Sequence, residues 1–252
     1  MAGARKELEG RVAIVTGAGR NIGRGIALEL AAGGACVVVN VRSNLVQAQQ
    51  VASEIEAAGG QALAVTGDVA SAAEVEAMMA AAAKRFGRID YLINNAAMRA
   101  EQPLAEMSFA DWRKVLDVIL DGTFHCVKAS LPHLKTSDAG AVINIGGISG
   151  HTGSKNRIHV VTAKSGLIGM TRALAHDLAD DGITVNLVVP GLVGTPRDRG
   201  AAEPHHHGRL HPLFGDRGKP ADIAGVVRFL CGPEARFING QTIHLNGGAY
   251  LG

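Results

Sequence analysis

Seven short runs of β-branched and aliphatic residues punctuate the chain: VAIVT (12–16), CVVVN (36–40), ALAVT (62–66), YLINN (91–95), AVINI (141–145), TVNLVV (184–189) and TIHLN (242–246). Most are apolar without alternation, the pattern of strands buried on both faces. A parallel sheet covered by helices on each side buries strands in that way. The stretches between them, such as IGRGIALELAAGG and EVEAMMAAAAKRFG, repeat their apolar residues at helical spacing. This alternation predicts an α/β fold. It is expected to be one doubly wound Rossmann-type domain over residues 1–252, with a seven-stranded, mostly parallel sheet and helices on both faces. Ligands of such sheets bind beyond the carboxyl ends of the strands. Residues just after each run are therefore the first candidates for chemistry.

One segment breaks the rhythm. Residues 194–220 are rich in Gly, Pro, His and Arg, and a long irregular stretch in a compact domain is more often functional than structural. It is expected to form a lid over the substrate. Its His205, His206, His207 and His211 are read as part of a flexible polar loop, and no metal is expected.

Composition removes several classes. Hydrophobic residues make up 47% of 252, enough for a sizeable core, and a net charge of +2 is too weak a bias for nucleic acid or a membrane surface as the main partner. Cys36, Cys126 and Cys231 are distant from one another and odd in number. They suggest neither a disulfide framework nor a zinc site. The N-terminal MAGARKELEGR lacks the apolar core of a signal peptide, and no run is long enough for a membrane span. A cytoplasmic protein is expected.

The first run is followed by TGAGRNIGRGIA. Gly17, Gly23 and Gly25 suit a tight turn, a close backbone approach and helix packing. The helix that follows offers N–H groups and a positive dipole end to a pyrophosphate. After the second run comes VVVNVRSN, with no Asp or Glu between Val37 and Ser53. A carboxylate there would select NAD, and a cation accommodates the 2′-phosphate of NADP. Arg42, with Ser43 beside it and Arg20 in the glycine loop, favours NADP(H) over NAD.

The spacing TGxxxxxGxG resembles the short-chain dehydrogenase/reductase family. So do GDV (67–69), NNAA (94–97), PGLVGTP (190–196), GKPADIAGVVRFL (218–230) and INGQTIHLNGG (238–248), with Ala97 and Asn246 where the family usually has Gly and Asp. The C-terminal half is most similar to its 3-oxoacyl-(acyl-carrier-protein) reductase group. The resemblance implies a dinucleotide held by Gly17, Gly19, Arg20, Asn21, Ile22, Gly23, Arg42, Ser43, Asp68, Val69, Asn95, Ala96, Ala97, Lys164, Pro190, Gly191, Val193 and Thr195. It also implies a small-molecule or acyl-carrier substrate and a homotetramer.

The resemblance fails where that family does its chemistry. Its Asn, Ser, Tyr and Lys tetrad falls on Ile119, Gly147, Val160 and Lys164. Lys164 alone is kept. Ser149 and His151, just after the fifth run, and His159, beside Val160, are the candidate replacements. His151 is preferred because imidazole titrates near neutral pH. Three functions are open: an NADP(H)-dependent oxidoreductase with an altered site, a non-catalytic NADP(H)-binding sensor or partner subunit, and an isomerase or lyase using the same pocket.

Overall fold

The computed structural model describes residues 6–195, 211–213, 215 and 217–252. The strands are β1 (Val12–Val15), β2 (Cys36–Val41), β3 (Gln61–Thr66), β4 (Tyr91–Asn94), β5 (Ala141–Ile145), β6 (Thr184–Pro190) and β7 (Thr242–Leu245). They form one sheet in the order β3-β2-β1-β4-β5-β6-β7. Every pairing is parallel, so the "mostly" of the expectation becomes "entirely".

The side-chain period of two divides each strand between two cores. Ala13, Val15, Val37 and Val39 face one layer, filled by α1 (Asn21–Ala32), α2 (Leu45–Ala57) and α8 (Pro220–Cys231). Val12, Ile14 and Val38 face the other, filled by α3 (Ala72–Phe86), α5 (Gly122–Leu134) and α7 (Ile158–Asp177). A third apolar cluster lies under α4 (Phe109–Leu116) and α7. A short α6 (Ser149–Thr152) follows β5. Among the described residues no helix is long and apolar enough to cross a membrane.

Strand order reverses direction between β1 and β4, and the crevice at that point opens at the carboxyl edge. The opposite edge is tied by Asp90. Its buried carboxylate accepts bonds from the Val12 N–H (2.9 Å), from Ser137 Oγ (2.5 Å) and from Arg88 Nε and Nη2 (2.8 and 2.6 Å). That network joins the amino ends of β1 and β4 to the loop entering β5. The two edges are thereby specialised, one for stability and one for ligand.

Candidate functional site

The cradle at the switch point is built from the loops after β1 and β4. Thr16 Oγ1 accepts the N–H groups of Asn95 and Ala96, both at 3.0 Å, and Asn95 Nδ2 donates to the carbonyls of Thr16 (2.9 Å) and Gly17 (3.0 Å). Gly17 has φ 61°. A Cβ on Gly23 would stand 2.4 Å from the Gly17 carbonyl oxygen and 2.5 Å from Asn95 Nδ2. Glycine at both positions lets α1 start against this loop. Arg20, the N-cap of α1, makes no side-chain cap bond, and the first turn holds no acid. The N–H groups at this positive helix end are therefore left for an anion.

The other expected cofactor residues lie along the same edge. Asn40 Nδ2 donates to the Gly67 carbonyl (3.0 Å), joining the ends of β2 and β3. Arg20, Arg42 and Ser43 are exposed beside this junction. Asp68 Oδ1 accepts the Ala70 N–H (3.0 Å) and fixes the turn after β3, with Val69 buried next to it. Beyond β6, a Cβ on Gly191 would meet Asn246 Cβ at 2.6 Å, so the loop through Val193 and Thr195 packs on the chain after β7. These groups lie along the carboxyl edge of the sheet, and the uncapped start of α1 and the close backbone approaches at Gly23 and Gly191 fit a dinucleotide. The lid reading falls largely on residues outside those described, including His205, His206 and His207; His211 is exposed. Among the described residues no group of three metal-ligating side chains converges.

Lys164 reaches this edge from α7. It is buried, and its Nζ donates to the Ile145 carbonyl at 2.5 Å, at the end of β5. Burial, with Arg99 and Arg157 adding repulsion, pushes its pKa down to about 7. Gly147 lies close by. A Cβ there would meet nothing nearer than Lys164 Cγ at 4.0 Å.

The three candidate replacements go to different places. Ser149 is buried at the start of α6. The His151 ring packs edge-on to His244 (centroids 4.5 Å) and against Tyr250 (5.4 Å). Burial first, then His244 and Arg172, lower its pKa and disfavour the charged ring. His159 is 1% exposed, and neither ring nitrogen has a hydrogen-bond partner. Neither Tyr250 nor His244 is among the candidate residues singled out from the sequence. Both stand beside His151, and the position of HLN at a carboxyl strand end was the signal that could have found His244.

The match to known proteins is extensive. A family model described as enoyl-(acyl carrier protein) reductase covers residues 17–250. The 3-oxoacyl-(acyl-carrier-protein) reductase FabG of Staphylococcus aureus is 38% identical over 240 residues, 95% of this chain and 98% of that protein. The 3-oxoacyl-(acyl-carrier-protein) reductase of Synechocystis is 40% identical over 246 residues, 97% and 98% of the two chains. A dehydrogenase/reductase structure from Sinorhizobium meliloti superposes with TM-score 0.91 at 35% identity, covering 98% of each chain. A Burkholderia cenocepacia short-chain dehydrogenase in complex with NADP superposes with TM-score 0.89 at 34% identity, covering 96% and 99%. The chain belongs to the short-chain dehydrogenase/reductase family.

It is an oxidoreductase of that family, and two of the positions expected from the sequence to hold its tetrad are packed in apolar surroundings. Val160 is 3% exposed and Ile119 is 1% exposed. Both join the cluster of Val115, Ile148, Leu187 and Val189. Ile119 sits in a π-helical turn, Asp117–Asp121, between α4 and α5. Such turns are frequent at functional sites. Here the widened turn persists although its side chain is apolar. Thr123 Oγ1 donates to the Ile119 carbonyl (2.7 Å), and Arg113 Nη2 pairs with Asp117 (2.5 Å) and Asp121 (2.7 Å) across it.

Proposed function

We propose that this protein is an NADP(H)-dependent short-chain oxidoreductase that reduces a small or acyl carbonyl substrate with Lys164 in place of the missing phenol. The observation that carries the reading is the intact cradle beside a buried Lys164. When bound, the dinucleotide supplies the hydride. The chain's own part is to bind, orient and protonate. The uncapped start of α1 takes the pyrophosphate, and Arg42 with Arg20 takes the 2′-phosphate. The Ile145 carbonyl holds the Lys164 amine at the pocket floor. An amine with a pKa of about 7 exchanges protons near neutral pH, which is what a general acid needs. The NADP complex of the Burkholderia relative and the acyl-carrier substrates in the relatives' names support the cofactor and the substrate class. His151, packed against His244 and Tyr250, is then a residue of the pocket wall.

Assembly as a homotetramer goes with this reading. It is supported by the exposed Phe109, Phe124, Phe229 and Phe237. Light scattering of the purified protein tests it, and a monomer at micromolar concentration would exclude it.

The reading is tested by NADPH consumption over a panel of ketones, 3-oxoacyl thioesters, enones and imines. Turnover of at least one class is expected. A second reading, a non-catalytic NADP(H)-binding subunit, is favoured by the apolar Gly147, Val160 and Ile119. Tight NADPH binding with no turnover anywhere on the panel would select it.

A further inference from the structure

Lys164 is held at both ends of its side chain. Gly150 of α6 lies against the base: a Cβ there would stand 3.0 Å from the Lys164 main-chain carbon and 3.1 Å from its Cβ. Ser165 Oγ donates to the Gly150 carbonyl (2.6 Å) and joins α6 to α7. At the other end the amine meets the Ile145 carbonyl, 2.5 Å away. A neutral amine donates one N–H to that carbonyl and keeps its lone pair for another atom.

The space beside the stem is open. A Cβ on Gly147 would meet nothing nearer than Lys164 Cγ at 4.0 Å, and Gly147 itself is partly exposed. A small solute therefore has a way in next to a lysine that is otherwise buried. Val160, one turn before Lys164, and Ile119 pack with Ile148, Leu187 and Val189. Neither side chain offers an acid or a base. Among the described residues no carboxylate pairs with the amine.

Burial pushes the Lys164 pKa down to about 7. About half of the amine is then neutral at that pH, against fewer than about one in a thousand for an ordinary lysine. A buried, partly neutral lysine that a carbonyl compound can reach is suited to form a Schiff base. The iminium is an electron sink for the adjacent carbon. Most reactions that use such a sink need a base to remove a proton from that carbon. Loss of CO₂ needs none, because the breaking C–C bond itself supplies the electron pair. That chemistry matches an amine flanked by Gly147 and Val160.

We propose that the protein, free of dinucleotide, decarboxylates small 3-oxo acids through an imine on Lys164. This activity goes beyond the reductase reading and does not rest on it. Lys164 Nζ adds to the ketone carbon. With uptake of one proton, water leaves and a C=N⁺ bond forms. The C–C bond to the carboxylate then breaks, its electron pair moves toward the nitrogen, and CO₂ leaves an enamine. The enamine carbon takes a proton from water. Water hydrolyses the resulting iminium and returns the ketone, the amine and one proton. The net change is one 3-oxo acid anion and one proton to one ketone and one CO₂, with no external oxidant or reductant.

The test is trapping with borohydride. Nucleotide-free protein is incubated with 3-oxobutanoate near neutral pH, reduced, and mapped by peptide mass spectrometry, while CO₂ release is followed in parallel. The expected product is an N-isopropyl group on Lys164, the reduced imine of propanone, in excess of any on the exposed Lys155. CO₂ release should exceed the rate in buffer by at least about tenfold, a modest demand on one positioned group. Lys164→Arg should abolish both. Gly147→Val, which fills the opening and leaves the amine in place, should reduce both while the far-ultraviolet circular dichroism is kept. Label on Lys164 no greater than on Lys155, or CO₂ release at the buffer rate, overturns the proposal, as does CO₂ release unchanged in Lys164→Arg. Saturating NADP⁺ should suppress both signals, since Lys164 is among the residues expected to hold the dinucleotide. Labelling undiminished by NADP⁺ supports an imine on Lys164 and counts against the reductase reading alone.

Discussion

The Nζ of Lys164 donates to the carbonyl oxygen of Ile145 at 2.5 Å. One strand end and one helix thereby place a buried amine at the floor of the dinucleotide crevice. One turn before it on α7 stands Val160, a side chain with nothing to titrate. The surroundings of Lys164 act on its own proton.

That gives a prediction in pH. The folded-state pKa of Lys164 is pushed down to about 7, whereas an unfolded lysine titrates near 10.4. Between those values the unfolded chain holds a proton that the folded chain has released. Stability should therefore rise with pH through this window, by up to about 1.4 kcal/mol per pH unit from this group. Lys164→Met should lack that slope. Denaturant melts at about pH 7.5 and about pH 9.5 should separate the parent from the variant by a change on the order of 2 kcal/mol. Parallel pH profiles would mean that Lys164 titrates normally.

Cofactor choice is assigned to Arg42. Arg42→Ala should weaken NADPH binding by about tenfold or more and leave NADH binding within about twofold, because NADPH alone carries the 2′-phosphate. Calorimetric titration of both dinucleotides measures it. Equal losses would place Arg42 outside the site.

Gly23 is a steric requirement of the cradle. A methyl group there meets the Gly17 carbonyl at 2.4 Å, a separation that backbone must move to relieve. Gly23→Ala should abolish measurable dinucleotide binding while the far-ultraviolet circular dichroism stays that of an α/β protein. Retained binding would show that the loop is not the pyrophosphate cradle.

The missing donors can be put back. Gly147→Ser has room, since the added Cβ meets only Lys164 Cγ at 4.0 Å. Val160→Tyr enlarges a residue packed against Ile119, Ile148 and Leu187, at a cost of about 1–3 kcal/mol. The double variant should fold, bind NADPH and reduce simple ketones or 3-oxoacyl thioesters at least about 10² faster than the parent, the lower end for a restored acid. NADPH consumption at equal protein concentration measures it. No gain with binding intact would mean that the pocket is shaped for another reaction.

Much of this was legible in the chain. Each of the seven β-branched runs became a strand, because apolar residues on both faces leave few alternatives to a covered parallel sheet. The glycine loop was legible because its chemistry is local: turn, strand end and helix start lie within a dozen residues. The apolar character of Gly147, Val160 and Ile119 could be read directly from the chain. What could not be read was convergence over long separations. His151, His244 and Tyr250 meet although about a hundred residues lie between the first two. The burial of Arg157 and the orphaned His159 depend on how α4 and the loop after β4 pack on α7, which no local pattern encodes. The π-helical turn at Asp117–Asp121 was hidden inside an ordinary helical period.

The central claim is that hydride passes from NADPH to a carbonyl substrate in a pocket served by Lys164 without a phenol. The most direct measurement uses NADPH deuterated on the nicotinamide ring, incubated with the parent protein and 3-oxobutanoate, and follows the product by mass spectrometry. Deuterium on the hydroxyl-bearing carbon, lost in Lys164→Met, is the predicted result. Absence of label in the product, with NADPH bound and unconsumed, would contradict the account.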